Sequence, residues 1–248
     1  MQTIPLAQAD EPRTFVFDET TPAYLAAKRR ARARGMDKYI GFHTCPLETV
    51  DAVFEYALAR LRDDAPRVAR KITAKNAMSG LDQIAMNVRE DLAVFSIDEE
   101  RNWLSYVHVL LPSGWDPSEK LGLDFTKVHG PVPGMHEMKY ETGHAIVKRI
   151  ATTGPYERGN IGLHDTAALD RHPLRSPAPP HTNRAVLRVE RQTTHPLPEC
   201  NASLFTILSL VSYLDEQSTD VQERVARSVA TMSPQTIEYK GIDVASLR

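Results

Sequence analysis

Several features of specialised chains are scarce or missing here. Two cysteines, Cys45 and Cys200, stand in 248 residues, too few for a disulfide scaffold and too far apart for a zinc-ligand spacing. Both are expected to be reduced and buried. Charge of one sign is also lacking. Thirty Lys plus Arg against 32 Asp plus Glu leave a net −2, which supplies no basic field for a phosphate backbone and excludes general nucleic-acid binding. The longest apolar run, residues 204–214, carries Thr206, Ser209 and Ser212 and falls well short of the ~20 residues a membrane-spanning helix needs. Residues 1–13 show no basic stretch followed by an apolar one, so a soluble cytoplasmic protein without a membrane partner is expected. GxxxxGK[ST], GxGxxG after a strand and GxSxG are all absent, which argues against nucleotide-driven chemistry, an internal NAD or flavin site, and that class of hydrolase.

The chain otherwise has ordinary globular values, 42% hydrophobic and 25% charged, and is long enough to bury a core without staples. Residues 1–13 are expected to be a flexible lead and 14–248 one domain. Thr20, Thr21 and Pro22 predict a helix start, with the basic stretch Lys28 to Arg34 as its solvated face and Gly35 as its stop. Pro46 opens a second helix, where Val50, Val53, Phe54, Ala57, Leu58 and Leu61 recur at helical spacing. Residues 92–97 and 103–111 predict an antiparallel strand pair, and Asp116, Pro117 and Glu119 predict a short helix running to Val128 before Gly130. Residues 164–184, with four prolines, read as a surface excursion. Strands follow at 185–192 and 203–213, joined by a turn at 196–201, and a last helix carries Val221, Val225 and Val229. This order, without repeats or a strand-helix rhythm, indicates an α+β fold with a mainly antiparallel sheet and flanking helices.

Nine histidines remain as candidates for chemistry, and two sites are informative. His129 ends the short helix directly before Gly130-Pro131-Val132-Pro133-Gly134, where a stiff backbone would fix its direction. Such an imidazole suits a metal or heme ligand, or simply caps the last carbonyls. Glu137, Glu141 and His144 stand at i, i+4 and i+7 and would share a helical face that could hold a non-heme iron, or merely face solvent. Period-two geometry puts Leu187, Val189 and Arg191 on one face of a strand, and Arg188, Glu190 and Gln192 on the other. Arg191 could clamp the carboxylate of a buried ligand or pair with a neighbouring carboxylate. Trp115 and Tyr106 read as core or as cofactor-stacking rings.

Together, REDLAVF (89–95), PSGWDPSEKLG (112–122), VHGPVPG (128–134), RVERQTTHPLP (188–198), SLFTI (203–207) and YKGI (239–242) resemble, in order, the heme-dependent oxidative N-demethylase family. That family includes the heme-bearing subunit of dimethylamine monooxygenase. The resemblance implies a PAS-like domain holding heme b, with His129 as the iron ligand and Trp115 beside the cofactor. It further implies oxidation of a small amine at the carbon next to nitrogen by oxygen or peroxide, giving an aldehyde and a shorter amine. Electrons would come from a separate flavin and iron-sulfur reductase. Arg191 becomes a propionate clamp, and Arg158 and Asn160 match an R-x-N-W segment as a second propionate contact and a polar group near the oxygen site. Ile161 replaces the Trp of that segment, which is expected to change the bulk near the pocket. A heme sensor or carrier, or a non-heme oxygenase at Glu137, Glu141 and His144, are the alternatives.

Overall fold

The computed structural model describes residues 7–8, 13–240 and 242. Its centre is a seven-stranded sheet in the order β1-β5-β6-β7-β3-β4-β2, antiparallel throughout. The strands are β1 (Ala7–Gln8), β2 (Ile40–Phe42), β3 (Asp91–Ile97), β4 (Asn102–His108), β5 (Tyr156–His164), β6 (Val186–Leu197) and β7 (Ala202–Tyr213). The helices are α1 (Thr21–Arg32), α2 (Leu47–Asp64), α3 (Pro66–Ala69), α4 (Ala77–Ala85), α5 (Phe125–His129), α6 (Tyr140–Thr152), α7 (Thr219–Ala230) and α8 (Pro234–Lys240). The α+β class, the first two helices, the β3–β4 pair and α7 are where the sequence puts them, but α7 is not the last helix, because α8 begins at Pro234. Most of the expected flexible lead lies outside the described residues, but Ala7–Gln8 pairs with β5 as an edge strand.

The two sheet faces are buried differently. Val94, Leu92 and Leu204 pack on one face with Val53, Leu61, Leu81 and Ile84 of α2 and α4, and Leu163 and Leu187 pack with Val225 and Val229 of α7. Ala93, Phe95 and Phe205 pack on the other with Phe125 of α5 and Val147 and Ala151 of α6.

Several boundaries move, each for a local reason. β4 stops at His108 because the amides of Leu110 and Leu111 donate to the Asp91 carboxylate (3.1 and 2.8 Å). The single helix expected over 116–128 is split. Gly122, at φ +77°, and Leu123 turn back to hydrogen-bond with Leu104, and Asp124 caps a separate α5 by accepting from the amides of Thr126 and Lys127. β6 runs through Pro196 to Leu197, beyond the last β5 partner at Thr194, where a missing N–H costs no ladder bond on that side. The turn shrinks to residues 198–201.

The basic stretch is not a wholly solvated face. Lys28 is completely buried, donating to the carbonyls of Ala85 (3.0 Å) and Glu90 (2.5 Å) and pairing with Asp91 at 3.1 Å. The 164–184 excursion is likewise anchored. Asp170 and His172 are buried, with Asp170 bound by Arg34 and the Tyr39 hydroxyl and His172 beside Asp116. The cysteines are free but only half-buried.

Candidate functional site

β5 was not foreseen as a strand, and it organises the site. Its register opposite β6 pairs Arg158 with Gln192, Asn160 with Glu190, Gly162 with Arg188 and His164 with Val186, so these side chains share the sheet face that α5 and α6 cover. A narrow cavity of about 20 Å³ lies there, with Phe125, Ile150 and Phe205 on its apolar side and Arg158, Gln192 and Thr194 on its polar side. Arg158 Nε donates to Gln192 Oε1 at 2.6 Å, and Gln192 Nε2 donates to Glu190 at 2.9 Å.

His129 is held at the end of α5. Its Nδ1 lies 2.8 Å from the carbonyl oxygen of Phe125, and its ring packs 4.2 Å from the Phe125 ring, which lines the cavity. A carbonyl can only accept, so Nδ1 carries the proton and the Nε2 lone pair is left available. Burial lowers its pKa to about 4, and the nearby charges of Arg158 and Lys120 add to the effect, so the imidazole is neutral. Trp115 packs half-buried against the cluster that contains Phe125 and Phe95. The Asn160 carboxamide is oriented from α8: Lys240 Nζ donates to Oδ1 at 2.6 Å and to the Ile161 carbonyl at 2.6 Å.

His129, Arg158, Asn160 and Trp115 thus belong to one side of the sheet, and Arg191 does not join them. It pairs with Gly159 and Leu208 on the opposite face, where its guanidinium binds Glu157 (2.7 and 3.0 Å) and the Arg13 carbonyl (2.8 Å). Ile161 also faces that opposite side, paired with Val189, and does not line the cavity. Tyr106 is core, stacked on Phe42. The rival metal cluster is not assembled: Glu137 precedes α6 and is exposed, Glu141 is exposed, and no group of three His, Cys, Asp or Glu suited to a metal occurs among the described residues.

Residues 6–246 match the model of the family described as Haem-dependent oxidative N-demethylase, alpha subunit-like. The chain belongs to this family. An oxidative N-demethylase of this kind depends on heme, and the residues present fit that group. A neutral imidazole with a committed Nδ1 is a suitable iron ligand. Cations without ion pairs suit its propionates: Arg188 is buried and Arg158, Arg171 and Lys240 half-buried, none has a carboxylate within 4.0 Å among the described residues, and burial pulls the pKa of each downward. Among the described residues, no helix is long and apolar enough to cross a membrane.

Sequence reasoning missed Phe125, Arg171, Glu190 and Lys240. Glu190 and Lys240 stand inside the ERQT and YKGI segments already singled out, whereas Arg171, in an irregular segment, carries no sequence signal.

Proposed function

We propose that this N-demethylase-family chain is a PAS-like heme b enzyme that oxidises a small amine, with His129 as axial ligand to the iron. The observation that carries this reading is the neutral His129, its Nδ1 fixed on Phe125 and its ring beside the wall of a cavity whose polar side is the unpaired Arg158. Arg158 contacts a propionate, and Trp115, packed against the cluster around Phe125, lies beside the cofactor. Heme, when bound, supplies the oxidant for the C–H bond next to the amine nitrogen. The chain contributes orientation and exclusion of water. Phe125, Ile150 and Phe205 keep the cavity wall apolar. Lys240 can only donate, so its bond to Asn160 Oδ1 turns the Nδ2 donors of that carboxamide away from Lys240, free to hold a polar ligand. Arg191 has no role at the heme, because Glu157 occupies its guanidinium. Oxygen or peroxide is the oxidant source, and a separate flavin and iron-sulfur reductase supplies electrons.

Reconstitution with hemin tests the reading. Wild-type protein should show a Soret band and, given a reductase, NADH and a methylated amine, should consume oxygen and release formaldehyde. Heme binding without amine-dependent turnover would make the chain a sensor or carrier, and absence of any Soret band would end the heme reading.

A further inference from the structure

Beyond Asn160 along β5, the same sheet face carries a second concentration of polar groups around Gly162. Arg188, opposite Gly162, is buried; its two Nη atoms donate to the carbonyls of Leu111, Ala168 and Leu169, while its Nε is buried without a partner. Arg171 follows two residues after Leu169, with its amide fixed on the Pro112 carbonyl and its buried Nη1 also lacking a partner. Lys240 reaches over the strand edge to Ile161 and Asn160. The His164 ring fills the space a Gly162 side chain would take: a Cβ there would stand 2.8 Å from its Nε2.

These cations are undercompensated. Glu190 is the carboxylate whose field reaches Arg171, Arg188 and Lys240, yet it makes no ion pair with any of them among the described residues. Asp165 also acts on Arg171 but is held by His181 at 2.6 Å. Burial, with the charges of Arg171, Arg188 and Lys240 adding to it, holds His164 neutral, with a pKa pushed down to about 3. A buried and two half-buried cations without an ion pair among the described residues are unfavourable unless an anion joins them, and two guanidinium groups with spare N–H donors match a carboxylate.

We propose that Arg171 and Arg188, closed over by Lys240, form a carboxylate-binding site distinct from the Arg158 contact. The carboxylate belongs to a heme propionate or to an amine substrate that is itself an acid, such as an N-methylated amino acid. Only this choice of owner rests on the heme reading.

The test compares wild type with Arg171→Gln and Lys240→Met, avoiding Arg188, whose three carbonyl bonds hold the fold. Hemin, hemin dimethyl ester and, for heme-free protein, succinate are titrated by Trp fluorescence and calorimetry. If a propionate is bound, wild type prefers hemin to its ester by about tenfold or more and Arg171→Gln removes the preference, as loss of a charged hydrogen bond predicts. If a substrate carboxylate is bound, the preference is small, but Arg171→Gln raises KM for N-methylglycine by a similar factor relative to dimethylamine. Wild type that binds no hemin defeats the heme reading alone, because succinate still reads the site. Succinate binding in wild type that both variants lose sustains the proposal. If neither variant changes hemin preference, KM or succinate binding, or if heme-free wild type binds no succinate and shows no ester preference, the site does not exist.

Discussion

The Nδ1 of His129 donates to the Phe125 carbonyl oxygen at 2.8 Å, one turn back in the same short helix. This bond fixes the tautomer before any ligand arrives, so the loss of coordination should be separable from loss of fold. His129→Ala should remove most bound heme, or shift its ligation spectrum, while the thermal midpoint of the heme-free protein changes little. Full heme content with an unchanged spectrum would refute the assignment.

Arg158 and Arg191 lie on opposite faces of the sheet, two arginines that sequence alone treats alike. Arg158→Ala should therefore weaken heme retention. Arg191→Ala should leave it unchanged and lose only a partly exposed pair with Glu157, worth about 1 kcal/mol or less. Equal heme loss in the two variants, measured by transfer to apomyoglobin, would contradict the face assignment.

Gly143, which looks like a weak point in α6, lets α6 approach α5. A Cβ there would stand 2.5 Å from Thr126 Cγ2, in the helix that ends at His129. The gain in helix propensity from Gly to Ala is about 1 kcal/mol, against a typical 1–3 kcal/mol for overpacking. Gly143→Val, which adds more bulk, should lower both the melting temperature and heme affinity. Unchanged heme affinity would mean that α5 is not positioned by this contact.

Lys28 and its neighbours Arg29 and Arg30 differ in burial despite sharing one basic run. Lys28→Met removes the cation from a buried pair with Asp91 and should cost about 3–5 kcal/mol in urea unfolding. Arg29→Ala and Arg30→Ala should each stay within about 0.5 kcal/mol of wild type.

Stability should climb between about pH 4 and 6.5. His195, buried between Tyr56 and Thr193, and His129 have their pKa lowered to about 4, and His164 to about 3, from 6.5. In that window the unfolded chain binds protons that the folded histidines refuse, so their contribution is lost as pH falls. Glu90 acts oppositely: burial raises it from 4.5 to about 7, so the folded state holds a proton the unfolded chain releases, and stability falls as pH rises through that range. The three histidines outweigh the one carboxylate. Glu90→Gln should steepen the climb and His195→Gln should flatten it in melting curves across this range; a flat wild-type curve would reject the balance.

The sequence by itself determined the α+β class, the helices at Pro22 and Pro46, the β3–β4 hairpin and the position of His129 at a helix end. These follow from local signals: apolar spacing, first-turn prolines and capping carboxylates act within a few residues. Ordered short motifs also pointed to the N-demethylase family. Which residues meet was decided only by tertiary structure. β5, rich in polar residues and glycine, has little strand texture, yet pairing with β6 makes it a strand and sends Arg158 and Asn160 to one face and Ile161 to the other. Arg188 and Arg191 stand three residues apart in one strand, and only the segments packed on each face distinguish the partly exposed ion pair of Arg191 from the buried, undercompensated Arg188. Lys28 and Arg171 differ from their exposed neighbours for the same reason: burial depends on what packs against a side chain, and those partners come from distant parts of the chain.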